Sequence, residues 1–170
     1  AIKEHYEDGA RGSMIYQGPM INPAVEVNTA VAGRLLLNPQ RDVQEALEEV
    51  IELYYRPRTA DVRRGIAEAF CMAEDAFFDS WSDEVKKDPH RPGEFHLETL
   101  FADSPQRSMY LEQCLTSKGR GLYRKGLITV LEQLSSFEGE CSGEGRLDRA
   151  KTGIISAIVD IENLGYERVS

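Results

Sequence analysis

Apolar residues in this chain recur three and four positions apart, stretch after stretch, which is the spacing of one face of an α-helix. The clearest stretch follows Asp42, where Val43, Ala46, Leu47, Val50, Ile51 and Tyr54 mark one side. Asp42 with Glu45 forms the reciprocal pairing that satisfies free N–H groups at a helix start. Pro57 ends the stretch, because proline disfavours helical geometry in the residue before it. Such a helix carries an oily stripe that only a neighbouring element can cover, so this pattern points to helices packed on helices.

The same spacing predicts the other elements. Asn22-Pro23 opens a helix reaching about Leu37, with Ala24, Val27, Val31 and Leu35 on one face. A longer helix begins near Thr59, with a stripe of Val62, Ile66, Ala69, Phe70, Ala73, Phe77 and Trp81. Ser104-Pro105 marks another start, carried by Met109, Leu111, Cys114 and Leu115 as far as Gly119-Arg120-Gly121. There the glycines either kink one helix or separate two, and Tyr123, Leu127, Val130, Leu131 and Leu134 continue the stripe. The last helix spans Arg146 to Leu164, with Leu147, Ala150, Ile154, Ala157, Ile158 and Ile161 sharing a face and Gly165 as its cap. Residues 86–93 and 135–145 read as loops, and residues 1–10 as polar and irregular. Gly12-Ser13-Met14-Ile15-Tyr16-Gln17-Gly18, a short apolar run between glycines, is the one strand candidate. The expectation is a mainly α fold: five to six amphipathic helices in an irregular bundle over residues 23–170, preceded by an irregular segment, 1–22, with one short strand.

Charge narrows the partners. The chain has 29 acidic against 20 basic residues and a net charge of −9, whereas phosphate backbones call for clustered cations. Two basic stretches, Arg56 to Arg64 and Lys118 to Lys125, are interrupted by other residues and read as solvated helix faces. No nucleic-acid partner is expected, and no apolar run is long enough to predict a membrane span.

Motifs for chemistry are sparse. The chain contains neither a phosphate loop, nor a Glu-x-x-His pair, nor a Gly-x-Ser-x-Gly elbow. Cys71, Cys114 and Cys141 show neither a disulfide framework nor metal-ligand spacing. His5, His90 and His96 are the only histidines, and His96 between Glu94 and Glu98 is the one weak ligand cluster. No cofactor or metal is expected. Tyr54, Tyr55, Phe70, Phe77, Phe78 and Trp81 fall at core spacing. The acid pairs Glu48-Glu49, Glu74-Asp75 and Asp83-Glu84 are solvated unless burial or a close partner shifts them.

One stretch goes further. Gly12 to Gly18, then Glu26-Val27-Asn28, then Leu35 to Val43 with Asn38-Pro39 and Asp42, and finally Val50 to Pro57 with Tyr54-Tyr55, follow one another in a suggestive order. That order resembles the end of the catalytic barrel and the following helical region of large glycoside hydrolases of the α-glucuronidase-like and related bacterial families. Gln17 stands where an acid is usual, and Arg56 precedes Pro57 where glycine is usual. The resemblance implies a C-terminal helical region bracing a catalytic barrel or a sister subunit, with Tyr16, Gln17, Glu26 and Asn28 bordering a carbohydrate site. It also implies that the opposed carboxylates of glycoside hydrolysis lie on earlier strands. Two other readings come from the residues themselves: a free-standing helical interaction or oligomerisation module, and a small helical ligand binder using Glu94, His96 and Glu98.

Overall fold

The computed structural model describes residues 2–10, 23–81, 111–112, 115–143 and 145–169. Its helices are α1 (Ile2–Glu7), α2 (Pro23–Leu37), α3 (Val43–Tyr55), α4 (Ala60–Asp79), α5 (Ser117–Ser135) and α6 (Arg146–Leu164). Among the described residues no strand occurs, in line with the mainly α expectation. The strand expected within residues 12–18, the 86–93 loop and the helix start at Ser104-Pro105 lie outside the described residues.

Side-chain caps fix where the main helices begin. Asp42 accepts from the Glu45 N–H at 2.9 Å, Thr59 from Val62 at 3.2 Å and Thr116 from Gly119 at 3.0 Å. Each satisfies a donor that the first helical turn leaves without a partner. Gly165, at φ 79, closes α6 as the sequence predicts.

Successive helices pack side by side, α2 on α3, α3 on α4, α4 on α5 and α5 on α6. The last helix then returns against both α2 and α3, so the ring closes. Its interior holds Ile51, Tyr55, Ile66, Phe77, Tyr123, Leu127, Ile154 and Ile161, all essentially without solvent contact. Phe77 is the aromatic hub, with ring centroids 5.4 Å from Trp81 and 5.3 Å from Tyr123. Each such side chain removed from water contributes about 2–3 kcal/mol before conformational entropy is set against it. The α4 stripe from Val62 to Trp81 is buried at every position the sequence marks.

Three details differ from the sequence-based expectation. Residues 1–10 are not irregular throughout: Ile2–Glu7 forms α1, which packs on α2 and ends where Gly9 takes φ 97. Lysine and glutamate are good helix formers, and the α2 surface supplies the contact a short polar helix lacks alone. On α3 the buried face is Ala46, Leu47, Val50, Ile51 and Tyr55, while Val43 is 58% exposed and Tyr54 only half-buried. Ile51 and Tyr55 lie four apart and share the core face, which displaces Tyr54 to its edge. The third difference concerns Gly119-Arg120-Gly121. The break lies earlier, at the non-helical Leu115-Thr116, and both glycines sit inside α5. A Cβ on Gly119 would stand 2.4 Å from the Ser80 carbonyl oxygen, and one on Gly121 would stand 2.0 Å from that of Glu167. The glycines let main chain approach the helix from two sides rather than interrupting it.

The turns following α3 and α5 meet. Pro57 and Cys141 form an isolated antiparallel bridge in which Arg58 N–H donates to Glu140 O (2.9 Å) and Ser142 N–H to Arg56 O (3.2 Å). Arg56 takes the left-handed conformation, φ 48, that caps α3. Gly143 lies so close beneath that turn that a Cβ there would come 2.1 Å from the Tyr54 carbonyl oxygen and 2.6 Å from the Tyr55 Cα.

Gly143→Ala should therefore destabilise the fold by about 3 kcal/mol, since backbone atoms must shift. Gly33→Ala, placed in open space within α2, should stabilise it by about 1 kcal/mol. Urea unfolding followed by circular dichroism measures both, and equal effects of the two substitutions would contradict the close approach at Gly143.

Candidate functional site

Among the described residues, the best-enclosed ion pair joins the first turn of α2 to the first residue of α6. Arg146 Nη2 donates to Glu26 Oε1 at 2.8 Å, and its Nε lies 3.2 and 3.1 Å from Oε1 and Oε2. The two side chains are 19% and 16% exposed. Glu26 suits its place, because a carboxylate near a helix N-terminus meets the positive end of the helix dipole. Arg146 does not suit its own. It is a cation at a helix start, and Gly145 before it offers no side-chain cap. The Glu26 carboxylate offsets that mismatch. A guanidinium stays charged at any ordinary pH and presents a planar fork that matches a carboxylate.

Two tyrosines complete the cluster. The Arg146 guanidinium lies over the Tyr54 ring, 5.1 Å from its centroid. Tyr55 is fully buried, and its hydroxyl has no hydrogen-bond partner among the described residues. Burial pushes the Tyr55 phenol well above the ordinary tyrosine range, and the Glu26 charge adds to the rise. Glu26 and Tyr54, which the sequence singles out far from residue 146, thus converge on one arginine, with Tyr55 buried beside Tyr54 in the chain. Asn28 stands exposed on α2. Tyr16 and Gln17 lie outside the described residues, as do Asp83, Glu84, His90, Glu94, His96, Glu98 and Cys114.

Among the described residues, two grooves stand out on the outer surface. The first, about 470 Å³, runs along α3 and is lined by Arg34, Arg41, Arg63, four glutamates and Leu53. Its charges pair across helices: Arg34 (3.3 Å) and Arg41 with Glu49, and Arg63 with Glu48 (3.3 Å) and Glu52 (3.5 Å). The Arg41 hydrogen bond chiefly holds the Glu49 carboxyl below its usual range, desolvation opposes it, and Arg34 adds to the lowering. The second, about 430 Å³, lies between α5 and residues 166–169. It is lined by Gly121, Arg124, Lys125, Ile128, Thr129, Tyr166, Arg168 and Val169.

Elsewhere the reactive groups are quiet. Partial burial raises the Cys71 and Cys141 thiols, and acidic neighbours raise them further, so both stay protonated near neutral pH. Partial burial also raises the Glu74 carboxyl, with Asp75 adding to the rise. Among the described residues no His, Cys, Asp and Glu side chains gather in a group that could hold a metal ion, and no helix is long and apolar enough to cross a membrane. Compared with family models, curated proteins and solved structures, the chain matches none.

Arg146 was the residue that sequence reasoning missed. Its signal was present, in a cation at the start of a helix with no capping side chain before it. The long-range pairs Arg34–Glu49 and Arg124–Glu162 carry no comparable mark, because their partners lie 15 and 38 positions apart on surfaces rich in charge.

Glu26→Gln should cost about 2 kcal/mol, since it leaves a largely buried guanidinium short of its counter-charge, and Glu26→Leu combined with Arg146→Met should recover part of that loss. A double-mutant cycle in urea checks this, and additive single losses would mean that the pair is not coupled. A second outcome concerns alkaline pH. Because the folded phenol resists ionisation, the stability Tyr55 contributes is complete below its unfolded value of about 10 and is lost as pH rises beyond it. Tyr55→Phe should leave stability near neutrality unchanged or higher and flatten its decline above pH of about 10. An unchanged alkaline slope would show that other groups govern it.

Proposed function

We propose that the chain is a helical support and docking domain, which holds a rigid surface against a partner. The observation that carries this reading is a division of labour on the described surface. The acids that could converge on a ligand are gripped by arginines of neighbouring helices, while large apolar side chains face water. Glu26 is held by Arg146, Glu49 by Arg34 and Arg41, Glu48 by Arg63, and Glu162 by Arg124. Leu36, Leu37 and Val43 flank the α2–α3 turn with 41%, 89% and 58% of their surface exposed, and Leu53 on α3 has 55%. Single exposed apolar residues are ordinary, but several around one turn suit a surface made to be covered.

The resemblance to glycoside hydrolases supplies one partner, a catalytic barrel that this domain braces, with Tyr16, Gln17, Glu26 and Asn28 near the carbohydrate. Support for that version comes from the convergence of Glu26 and Tyr54, residues that carry the resemblance, on Arg146. They form one structural unit suited to holding α2 in a fixed direction. The coding sequence upstream of residue 1 tests it: an alternating strand–helix pattern long enough for a barrel supports it, and a stop codon there removes it.

A second version, a self-associating module, is favoured by Leu37, the most exposed large apolar side chain of the described residues. Sedimentation velocity over a range of concentrations should then show reversible self-association. Leu37→Asp should weaken it by about tenfold while leaving helicity intact. A chain that stays monomeric at every concentration rules out this version.

A further inference from the structure

We propose that α2, carrying α1 with it, is a strap that opens as a unit from a body formed by α3 to α6. The inference stands apart from the apolar side chains at the α2–α3 turn and holds whether or not they dock a partner. It rests on how little of α2 is buried. Among the described side chains of this 15-residue helix only Val27 is fully withdrawn from water, whereas α3, α4, α5 and α6 each bury five residues or more. Ala30 and Val31 are covered in part. The helix has little strength of its own either. Val25, Val27, Thr29 and Val31 are β-branched and lose side-chain freedom in a helix. Gly33 sits in the interior of α2 with open space around it, where no contact requires a glycine.

A clasp at each end holds α2 in place. Glu26 in its first turn pairs with Arg146 of α6 at 2.8 Å, and Arg34 in its last turn pairs with Glu49 of α3 at 3.3 Å. Among the described residues no other side-chain hydrogen bond or ion pair leaves this helix. The second clasp is cheap to release, because Glu49 is half-exposed and keeps Arg41 when Arg34 departs. The hinge falls at Asn38-Pro39, where proline breaks helical continuity. Arg41 and Asp42, just beyond it, belong to the body, one through Glu49 and the other as the cap of α3. That body closes without α2: α6 packs directly on α3, and the Pro57–Cys141 bridge joins the α3–α4 turn to the chain entering α6. An element with few buried apolar side chains, clasped by charges onto a body already closed, is the kind that opens before the rest unfolds. Its opening uncovers the faces of α3 and α6 on which α2 packs.

The test is amide hydrogen exchange of the intact chain, followed residue by residue in urea concentrations too low to unfold it. The expected result is that the amides of α2 share one rate, which rises with urea and lies about tenfold or more above that of the α5 amides. Glu26→Gln should speed the α2 amides by about tenfold. Val130→Ala, where α5 meets α4 and α6, should speed the α5 amides by about tenfold and leave those of α2 unchanged, because α2 opens while the body stays folded. This second variant and the parent chain carry the test if Glu26→Gln fails to fold. Any of three results overturns the proposal: Val130→Ala speeding both helices equally, which makes the chain one cooperative unit; α2 rates that differ from amide to amide and ignore urea, which is fraying; or α2 exchange indifferent to Glu26→Gln.

Discussion

Closure of the helix ring is the constraint on which the rest of this structure depends. Four of the helices, taken in order, would leave α2 and α3 with one apolar flank in water. The return of α6 against both closes that flank, and Val27, Val50, Ile51 and Tyr55 belong to the one core cluster that results. Apolar burial supplies most of the driving force for that return, but it is indifferent to direction. The Arg146–Glu26 fork adds the direction, because a planar pair with three nitrogen–oxygen contacts accepts only a narrow range of helix placements. Pro57 and Cys141 join the two turns with a pair of main-chain hydrogen bonds, which fixes the rotation of the α3–α4 hairpin relative to α5 and α6.

Element type and extent were largely legible because helical spacing and capping residues are local signals. The α4 stripe could be read position by position, since every one of its apolar residues points inward. Where the reading slipped, a tertiary contact had the decisive part. Tyr54 and Tyr55 are adjacent, but Tyr55 is the buried one, edge-on to Phe70 of α4, while Tyr54 has the Arg146 of α6 to stack on. The glycines of α5 look like breakers in one dimension, but with Ser80 and Glu167 in place they are contact points. α1 was missed because nothing in a short polar run announces the α2 surface that stabilises it.

The functional surface was less legible for the same reason carried further. Of the residues that the glycoside-hydrolase resemblance marks, Glu26 and Tyr54 meet at a partner 120 positions from Glu26, which no local pattern could name. The basic stretch from Lys118 to Lys125 read as a solvated face. Two of its cations do reach solvent, but Arg120 turns to the Gly165 carbonyl and Arg124 to Glu162 and Tyr166. A linear charge run thus becomes a mixture of clamps and solvent-facing side chains once the chain after α6 folds back over it.

The distance in sequence between Glu26 and Arg146 has a consequence for how the molecule comes into being. Hairpins of neighbouring helices form from contacts close along the chain, which is the fast kind. The seam between α2 and α6 cannot, because one side of it leaves the ribosome some 120 residues after the other. Until then Val27 and its neighbours lack the cover that α6 gives, so the newborn chain passes through a stage in which α2 is only partly protected. Chaperone capture or premature association at that stage would act on α2, and the final docking of α6 ends the exposure.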